Sequence, residues 1–505
     1  MKKETPVLLS FYSVLFLAIS LLNLSLFNYA YDDAYIHFRI AENFLVHGRP
    51  YFNLDERLMA TSSPGWTLTL FAIFLMTGVK LKAVSIFNAA ATTLAVYIYA
   101  RVVDKAVADS KISHDVLVAL VLLPILAYSS IGLMETSFAL LLLGLGVLLY
   151  LRKDGLAFLF FGLCVFFRFE LVVFLLLFLA FNAYKKAVPV WKTGFFASLG
   201  AAPFLAFDYA FFGTSIPHTI RAKSAVFSLN RVDVIDVGVP RFFFEGSMGV
   251  MIEFILLVVL LYVALRTALK YRGDFEHGVI LLFLAGGASV FLAYFIQKTY
   301  IFSWYPPLYY APVFISALVF AMKKRAPALI IFLLLAFLPF AALFCVTLYA
   351  SLFDKSAYQY FSHEARVQKY LDVGRRLYER YPDYTLMTSE IGGLGFAFKG
   401  KIYDGAGLVS EDVLKYHPMK VPEQRPSGKF GSIPAGYARE IRPDIIVSYD
   451  FNMDRLFTPD ILDKYVRIEE NIYMPEDMAI MRKKSLLPEN RLIVLIKKDR
   501  FTKGY

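Results

Sequence analysis

Cysteine is nearly absent: the 505 residues hold two, Cys164 and Cys345, each inside an apolar run and far apart in the chain. That scarcity excludes a disulfide framework or a cysteine metal site and marks both as small buried residues. A dinucleotide fingerprint is also missing. Ser389-Glu390-Ile391-Gly392-Gly393-Leu394-Gly395 is glycine-rich but lacks the G-x-G-x-x-G spacing. After Leu352 no apolar run approaches membrane length, and the last 153 residues hold 22 of the 41 acidic residues. Residues 353–505 therefore read as a soluble domain. Two halves with matching broken helices, a common mark of secondary transporters, are lacking too.

What is abundant is apolar surface. At 58% hydrophobic and 17% aromatic residues, with a mean hydropathy of +0.57, the chain exceeds the roughly one-half apolar share of water-soluble domains. It reads as a polytopic membrane protein. Stretches near the ~20 residues that cross a bilayer lie at 7–27, 64–80, 82–103, 116–131, 133–151, 155–168, 169–188, 192–212, 248–271, 276–297, 301–321 and 326–352. The first run, longer than the ~7–15 residues of a cleavable signal core, reads as a retained helix with a cytoplasmic N-terminus.

The net charge of +11 comes from short clusters between apolar runs, such as Arg152-Lys153, Lys185-Lys186 and Lys323-Lys324-Arg325. These orient helices and exclude nucleic acid as a partner. They place residues 28–63, 213–247 and the C-terminal domain outside the cytoplasm. Such an arrangement requires an odd number of crossings, 11 or 13. The uncertain spans are the short 64–80 and the pair divided by Arg168-Phe169-Glu170. The tail alternates: a helical pattern at 361–380, a glycine-rich turn at 392–395, and short strands near Tyr384 to Met387, Ile402-Tyr403, Ile445 to Ser448 and Leu492 to Ile496. That is a small α/β domain.

The chemistry concentrates in Tyr31 to Pro64. Asp32 is expected to cap a helix running from Asp33 to His47 and ending at Gly48. On a helical wheel Ile36, Phe38, Ile40, Ala41, Phe44 and Leu45 share one side and Arg39, Glu42 and Asn43 the other, the pattern of a helix lying in the membrane interface. Asp33 and His37 fall on the apolar side, so they must pair or face an aqueous cavity. Favourable interaction with the helix dipole accounts for the acids on a structural reading. On the functional reading, one aspartate takes a proton from a hydroxyl nucleophile, and a divalent metal between Asp32 and Asp33 is an open alternative.

Other candidates recur at outer ends of spans. Glu135 reads equally as a helix start or a functional acid, and Arg168 with Glu170 as a solvated ion pair or a site for an anionic ligand. His218, Arg221 and Lys223, in the loop that also carries Arg231 and Arg241, run against the positive-inside tendency. Binding a phosphate at the bilayer surface would explain them, as would anionic lipid headgroups. Trp304-Tyr305-Pro306-Pro307 reads as an interfacial aromatic belt or a sugar-stacking wall.

Asp32-Asp33-Ala34-Tyr35-Ile36 with Phe38-Arg39, Gly48, Phe52-Asn53 and Thr61-Ser62-Ser63-Pro64-Gly65-Trp66-Thr67 resembles the first outer loop of GT-C glycosyltransferases that use polyprenyl-phosphate sugars. The branch it most resembles is the terminal arabinofuranosyltransferase-like group, related to protein O-mannosyltransferases and the aminoarabinose transferase of lipid A. Met134-Glu135-Thr136, Arg168-Phe169-Glu170 and Pro217 through Lys223 fit that branch in order. The tail matches only through Gly392 to Gly395 and Asp404 to Leu408.

The resemblance implies a GT-C-type transmembrane helix bundle over 1–352, with an interfacial helix in the first outer loop 28–63, and a small extracytoplasmic α/β domain over 353–505. It implies an inverting transfer of a monosaccharide from a polyprenyl-phosphate donor to a hydroxyl of a glycan, lipid or protein, outside the plasma membrane and with no required cofactor. Asp32 would be the base and Asp33 would orient the acceptor or support a metal. Arg39, Arg168, Arg221 and Lys223 would bind the donor phosphate; His37, Glu135, Glu170, His218 and Trp304 would position sugar or acceptor. The rival reading is a transporter or flippase of a lipid-linked or anionic solute.

Overall fold

A computed structural model describes residues 5–27, 30–107, 114–226, 274–302, 304–323, 362–419, 432–453, 456–470 and 491–501, together with the single positions 234, 345 and 349. Its membrane part is built from α1 (Thr5–Leu26), α3 (Pro64–Thr77), α4 (Leu81–Val107), α5 (Asp115–Ile131), α6 (Thr136–Leu151), α7 (Ala157–Phe167), α8 (Val172–Lys185), α9 (Val190–Phe212), α11 (Phe275–Gln297) and α12 (Pro307–Lys323). Two further helices, α2 (Asp32–His47) and α10 (His218–Val226), lie in the segments between α1 and α3 and between α9 and α11. Among the described residues, four helices are long and apolar enough to cross a bilayer alone: Leu8–Leu26, Leu81–Val107, Val190–Phe212 and Phe275–Gln297.

Several apolar helices are shorter. The 14 residues of α3 rise about 21 Å and the 11 of α7 about 16 Å, less than the ~30 Å hydrocarbon layer. The spans expected at 248–271 and 326–352 lie outside the described residues except for 345 and 349. The span expected at 301–321 starts later, at Pro307, because Pro306 and Pro307 have no N–H to continue a helix backwards. Residues 301–302 and 304–306 are instead loop, and Trp304 and Tyr305 enter the site. Cys164 is buried as expected, whereas Cys345 is exposed.

The tail forms a five-stranded sheet of order β2-β1-β3-β5-β4, from β1 (Leu386–Thr388), β2 (Ile402–Asp404), β3 (Ile445–Tyr449), β4 (Tyr465–Glu470) and β5 (Leu492–Lys497). The first three strands run parallel; β5 is antiparallel to both β3 and β4. Helix α13 (Ser362–Arg380) packs on a short helix α14 (Gly392–Ala397). The expected glycine-rich turn at 392–395 is therefore the start of a helix. Strand β4 escaped notice because Arg467, Glu469 and Glu470 interrupt its apolar pattern.

The tail is joined to the membrane part through α2. This helix touches α3 on one side and α14 on the other, and every residue from Ala34 to Ala41 is buried. Ile36, Ile40, Phe52 and Ala222 share one apolar cluster with Tyr370, Leu386, Leu394 and Ile402. The wheel's polar side thus meets protein where water or headgroups were expected. Gly48 closes α2 in the left-handed conformation (φ 67°), its N–H donating to the Phe44 carbonyl at 3.0 Å. Beyond it, the Asn53 side chain donates to and accepts from the backbone of Ile402, at 2.8 and 3.1 Å. Asn53 thereby covers the free edge of β2.

Candidate functional site

Asp32 is the first residue of α2, not its cap; the capping position is Tyr31, which makes no side-chain cap bond. The Asp32 carboxylate instead accepts the backbone N–H groups of Gly392 (2.9 Å) and Gly393 (2.8 Å) at the start of α14. The glycine-rich stretch that lacks dinucleotide spacing thus receives a carboxylate from its own chain. Burial pushes the Asp32 carboxyl up to about 7, helped by the charge of Glu390 and opposed by the Gly393 N–H and by Arg366. An acid poised there can hold or release a proton near neutrality.

Asp33 points elsewhere, with its Oδ2 3.6 Å from Lys223 Nζ. Lys223 reaches in from α10, donates to the Tyr305 hydroxyl at 3.0 Å and lies over the Phe302 ring. Burial opposes its charge, yet Tyr305 and Asp33 hold the ammonium above its ordinary value. With an ammonium beside Asp33 and two N–H donors on Asp32, the two aspartates do not suit a divalent cation. Among the described residues no group of three or more His, Cys, Asp or Glu side chains could hold one.

Below this pair sits an ion cluster, buried where a solvated pair was one reading. Arg168 is 2% exposed and bonds Glu135 at 2.9 Å. It also grips Glu170 through two nitrogens, at 3.2 and 2.6 Å. Its guanidinium lies 3.9 Å from the centre of the Tyr305 ring and donates to the Tyr294 hydroxyl at 3.2 Å. Glu135 occupies the capping position of α6 without a side-chain cap bond. Its Oε1 meets Arg168, and its Oε2 is buried with no hydrogen-bond partner among the described residues. Arg168 is therefore tied to two carboxylates, and Lys223 is the cation of this group better placed for an outside anion.

His37 is buried, with Nδ1 3.0 Å from Thr61 Oγ1 and 3.2 Å from Thr67 Oγ1. Burial lowers it to about 4 despite the opposing charge of Asp33, so it is a neutral imidazole held by two hydroxyls. Trp304 is buried rather than at a lipid boundary: its ring lies 5.0 Å from that of Tyr31 and its carbonyl accepts from Thr136 at 2.8 Å.

Three expected site residues lie apart from this group. Four of the five N–H groups of Arg39 go to the carbonyls of Phe52, Gly395, Phe398 and Gly400, with the guanidinium 4.3 Å above the Phe52 ring. It fastens α2 to the tail, with four of its five donors engaged by backbone carbonyls. Arg221 is exposed and paired with Glu411 at 2.7 Å. His218 bonds the Gly407 carbonyl at 2.9 Å through Nε2, so it latches α10 to the loop after β2. Arg231 and Arg241 lie outside the described residues.

Sequence reasoning missed Tyr294 and Tyr305 in the ion cluster, and Arg366 and Glu390 beside Asp32. Arg366 bonds Glu390 at 2.8 Å, and Tyr370 donates to the same carboxylate at 3.0 Å. The proximity of Glu390 to Gly392 in sequence was visible; its meeting with Asp32 depends on how the tail docks.

A family model described as a domain of unknown function (DUF8728) matches residues 356–486. No curated protein matches the chain. ArnT from Cupriavidus metallidurans is similar in structure, both bound to undecaprenyl phosphate (TM-score 0.54, 11% identity) and in the apo state (0.52, 10%). Each similarity covers 96% of this chain and 98% of the other. At that identity the likeness concerns the fold, and it extends through the tail as well as the helices. The chain shares the fold of the ArnT structures, and its long apolar helices make it an integral membrane protein.

Proposed function

We propose that this chain is an inverting glycosyltransferase that moves a monosaccharide from a polyprenyl-phosphate donor to an acceptor hydroxyl on the extracytoplasmic side of the membrane. The observation that carries the reading is the similarity, along 96% of the chain, to a structure bound to undecaprenyl phosphate. The buried site between α2, α10 and the tail supplies the matching chemistry. The terminal arabinofuranosyltransferase-like branch remains the reading of sequence motifs alone.

In this reading Asp32, oriented by two backbone N–H groups, takes the proton of the acceptor hydroxyl as that oxygen bonds to the anomeric carbon. The bond from that carbon to the phosphate oxygen breaks, and the electron pair leaves with the polyprenyl phosphate. Lys223 and the Tyr305 hydroxyl face the departing phosphate and stabilise its charge, while Arg168 fixes the Tyr305 ring from beneath. Asp33 holds Lys223 in place, Glu135 and Glu170 hold Arg168, and neutral His37 positions Thr61 and Thr67 without competing for the proton. Residues 1–352 form the transferase part, and 353–505 a domain that completes the site.

The test is incubation of purified full-length protein in detergent with a panel of polyprenyl-phosphate monosaccharides, reading released polyprenyl phosphate by mass spectrometry. Release from one donor, lost in Asp32→Asn, is expected. No release from any donor, with solute movement across sealed vesicles instead, would overturn the reading in favour of a transporter.

A further inference from the structure

Beside Asp32 the tail presents a polar group that the transfer chemistry above does not use. Arg366 lies near the start of α13 and Glu390 two residues after β1; they are bonded at 2.8 Å, with the Tyr370 hydroxyl on the second carboxylate oxygen of Glu390. Ser389 and Ser448, at the carboxyl ends of β1 and β3, bond each other at 2.8 Å. Tyr370 lies 3.4 Å from Ser448. The carboxyl ends of parallel strands, where chain order reverses around β1, are where open α/β sheets receive ligands. Here that edge faces the base.

The pair is not sealed. The Arg366 side chain is 34% exposed and that of Glu390 15%. The Nε of Arg366 is buried and finds no hydrogen-bond partner among the described residues, a costly state unless a ligand supplies an acceptor. Charge decides which ligand fits. Among the described residues, the carboxylates Asp32, Asp33, Glu135, Glu170 and Glu390 stand around the two halves of the site, against the cations Arg168, Lys223 and Arg366. Arg366 is already neutralised by Glu390, with Asp32 close by, so a second anion there would meet two carboxylates. A vicinal diol has the opposite character: each hydroxyl donates to a carboxylate and accepts from a guanidinium, at no cost in net charge.

We propose that Arg366 and Glu390 form the acceptor subsite and that it takes a neutral sugar, two of whose hydroxyls bridge the pair and bring a further hydroxyl to Asp32. The proposal rests on the transferase reading above and names its acceptor as a neutral glycan, in place of a lipid phosphate or an acidic saccharide. Lys223 and Arg366 then divide the work, one cation for the donor phosphate and one for the acceptor.

The test is saturation-transfer NMR on full-length protein in nanodiscs, with neutral methyl glycosides and their carboxylated uronoside counterparts as probes. At least one neutral glycoside should give transfer, the matched uronoside at least fivefold less, and the charge-neutral pair Arg366→Met with Glu390→Gln should lose the signal. Arg366→Lys should restore part of it, which separates loss of contact from loss of fold. No signal with any neutral glycoside in the wild type, equal signal in the double variant, or stronger uronoside binding would each overturn the proposal. A parallel arm measures thermal stabilisation by undecaprenyl phosphate. The double variant should retain it, and its loss there alone would assign Arg366 to the donor. Absence of stabilisation even in the wild type would sink the donor reading while leaving the glycoside arm to stand or fall separately.

Discussion

The carboxylate of Asp32 accepts the N–H of Gly392 at 2.9 Å across 360 residues of chain. The contact leaves no room for a side chain: a Cβ on Gly392 would lie 1.8 Å from the Asp32 carbonyl oxygen and 2.6 Å from its carboxyl carbon. The glycine is required by close approach of two backbones. Gly392→Ala should therefore push the tail off α2, lowering both transfer rate and thermal midpoint, with faster amide exchange in 32–41 and 392–397. Exchange unchanged in both segments would show that the contact is not what joins them.

Asp32→Asn separates chemistry from stability. The folded carboxyl sits at about 7, above its ordinary 3.8, so between those values the folded chain binds a proton that the unfolded chain releases. The contribution to stability is full below about 4 and is lost as pH rises through 7. Activity runs the other way, because a base must be deprotonated. The wild-type rate should climb through pH 7 as its thermal midpoint falls. The Asn variant should lose about 10²- to 10⁴-fold in rate and show a flatter midpoint from pH 5 to 9. Release rates and melting curves over that range check both halves.

Arg39→Met tests the reassignment of an arginine from phosphate to scaffold. Four carbonyls would lose a charged donor, and a buried acceptor left unmade costs about 1–3 kcal/mol. The expected outcome is a loss of several kcal/mol in stability, read by denaturation, with donor KM unchanged in protein that remains folded. A raised donor KM at intact stability would return Arg39 to the phosphate.

What could be read in advance divides along physical lines. The bundle, the α/β tail, α2 with its Gly48 terminus and most strands followed from periodicity and turn chemistry, which are local. Asp32, Asp33 and Lys223 stood out in the sequence because charge between apolar runs is rare and therefore informative. The contacts of Arg39 with the tail were not legible because a wheel distinguishes polar from apolar sides but does not say whether the polar side meets water or the tail. Tyr305 was hidden for the reverse reason: an aromatic beside two prolines matches an interfacial belt, and only the start of α12 at Pro307 turns it inward between Lys223 and Arg168.

Those two cations should respond differently to loss of charge. Lys223 is held by a 3.6 Å approach to Asp33 and one phenol, so Lys223→Met removes a ligand-facing charge and leaves a single partly open carboxylate behind. The chain should fold, release polyprenyl phosphate more slowly and bind undecaprenyl phosphate at least tenfold more weakly. Arg168→Met instead strands Glu135, fully buried, and Glu170 without a counter-ion. Breaking one partner from such a buried cluster costs about 3–5 kcal/mol, so this variant should fail in yield and melting before any kinetic effect can be read. Adding Glu135→Gln to Arg168→Met should recover part of the stability by removing one stranded charge. If Arg168→Met instead melts like wild type and loses only undecaprenyl phosphate affinity, then Arg168 is the phosphate ligand, and the two cations exchange roles.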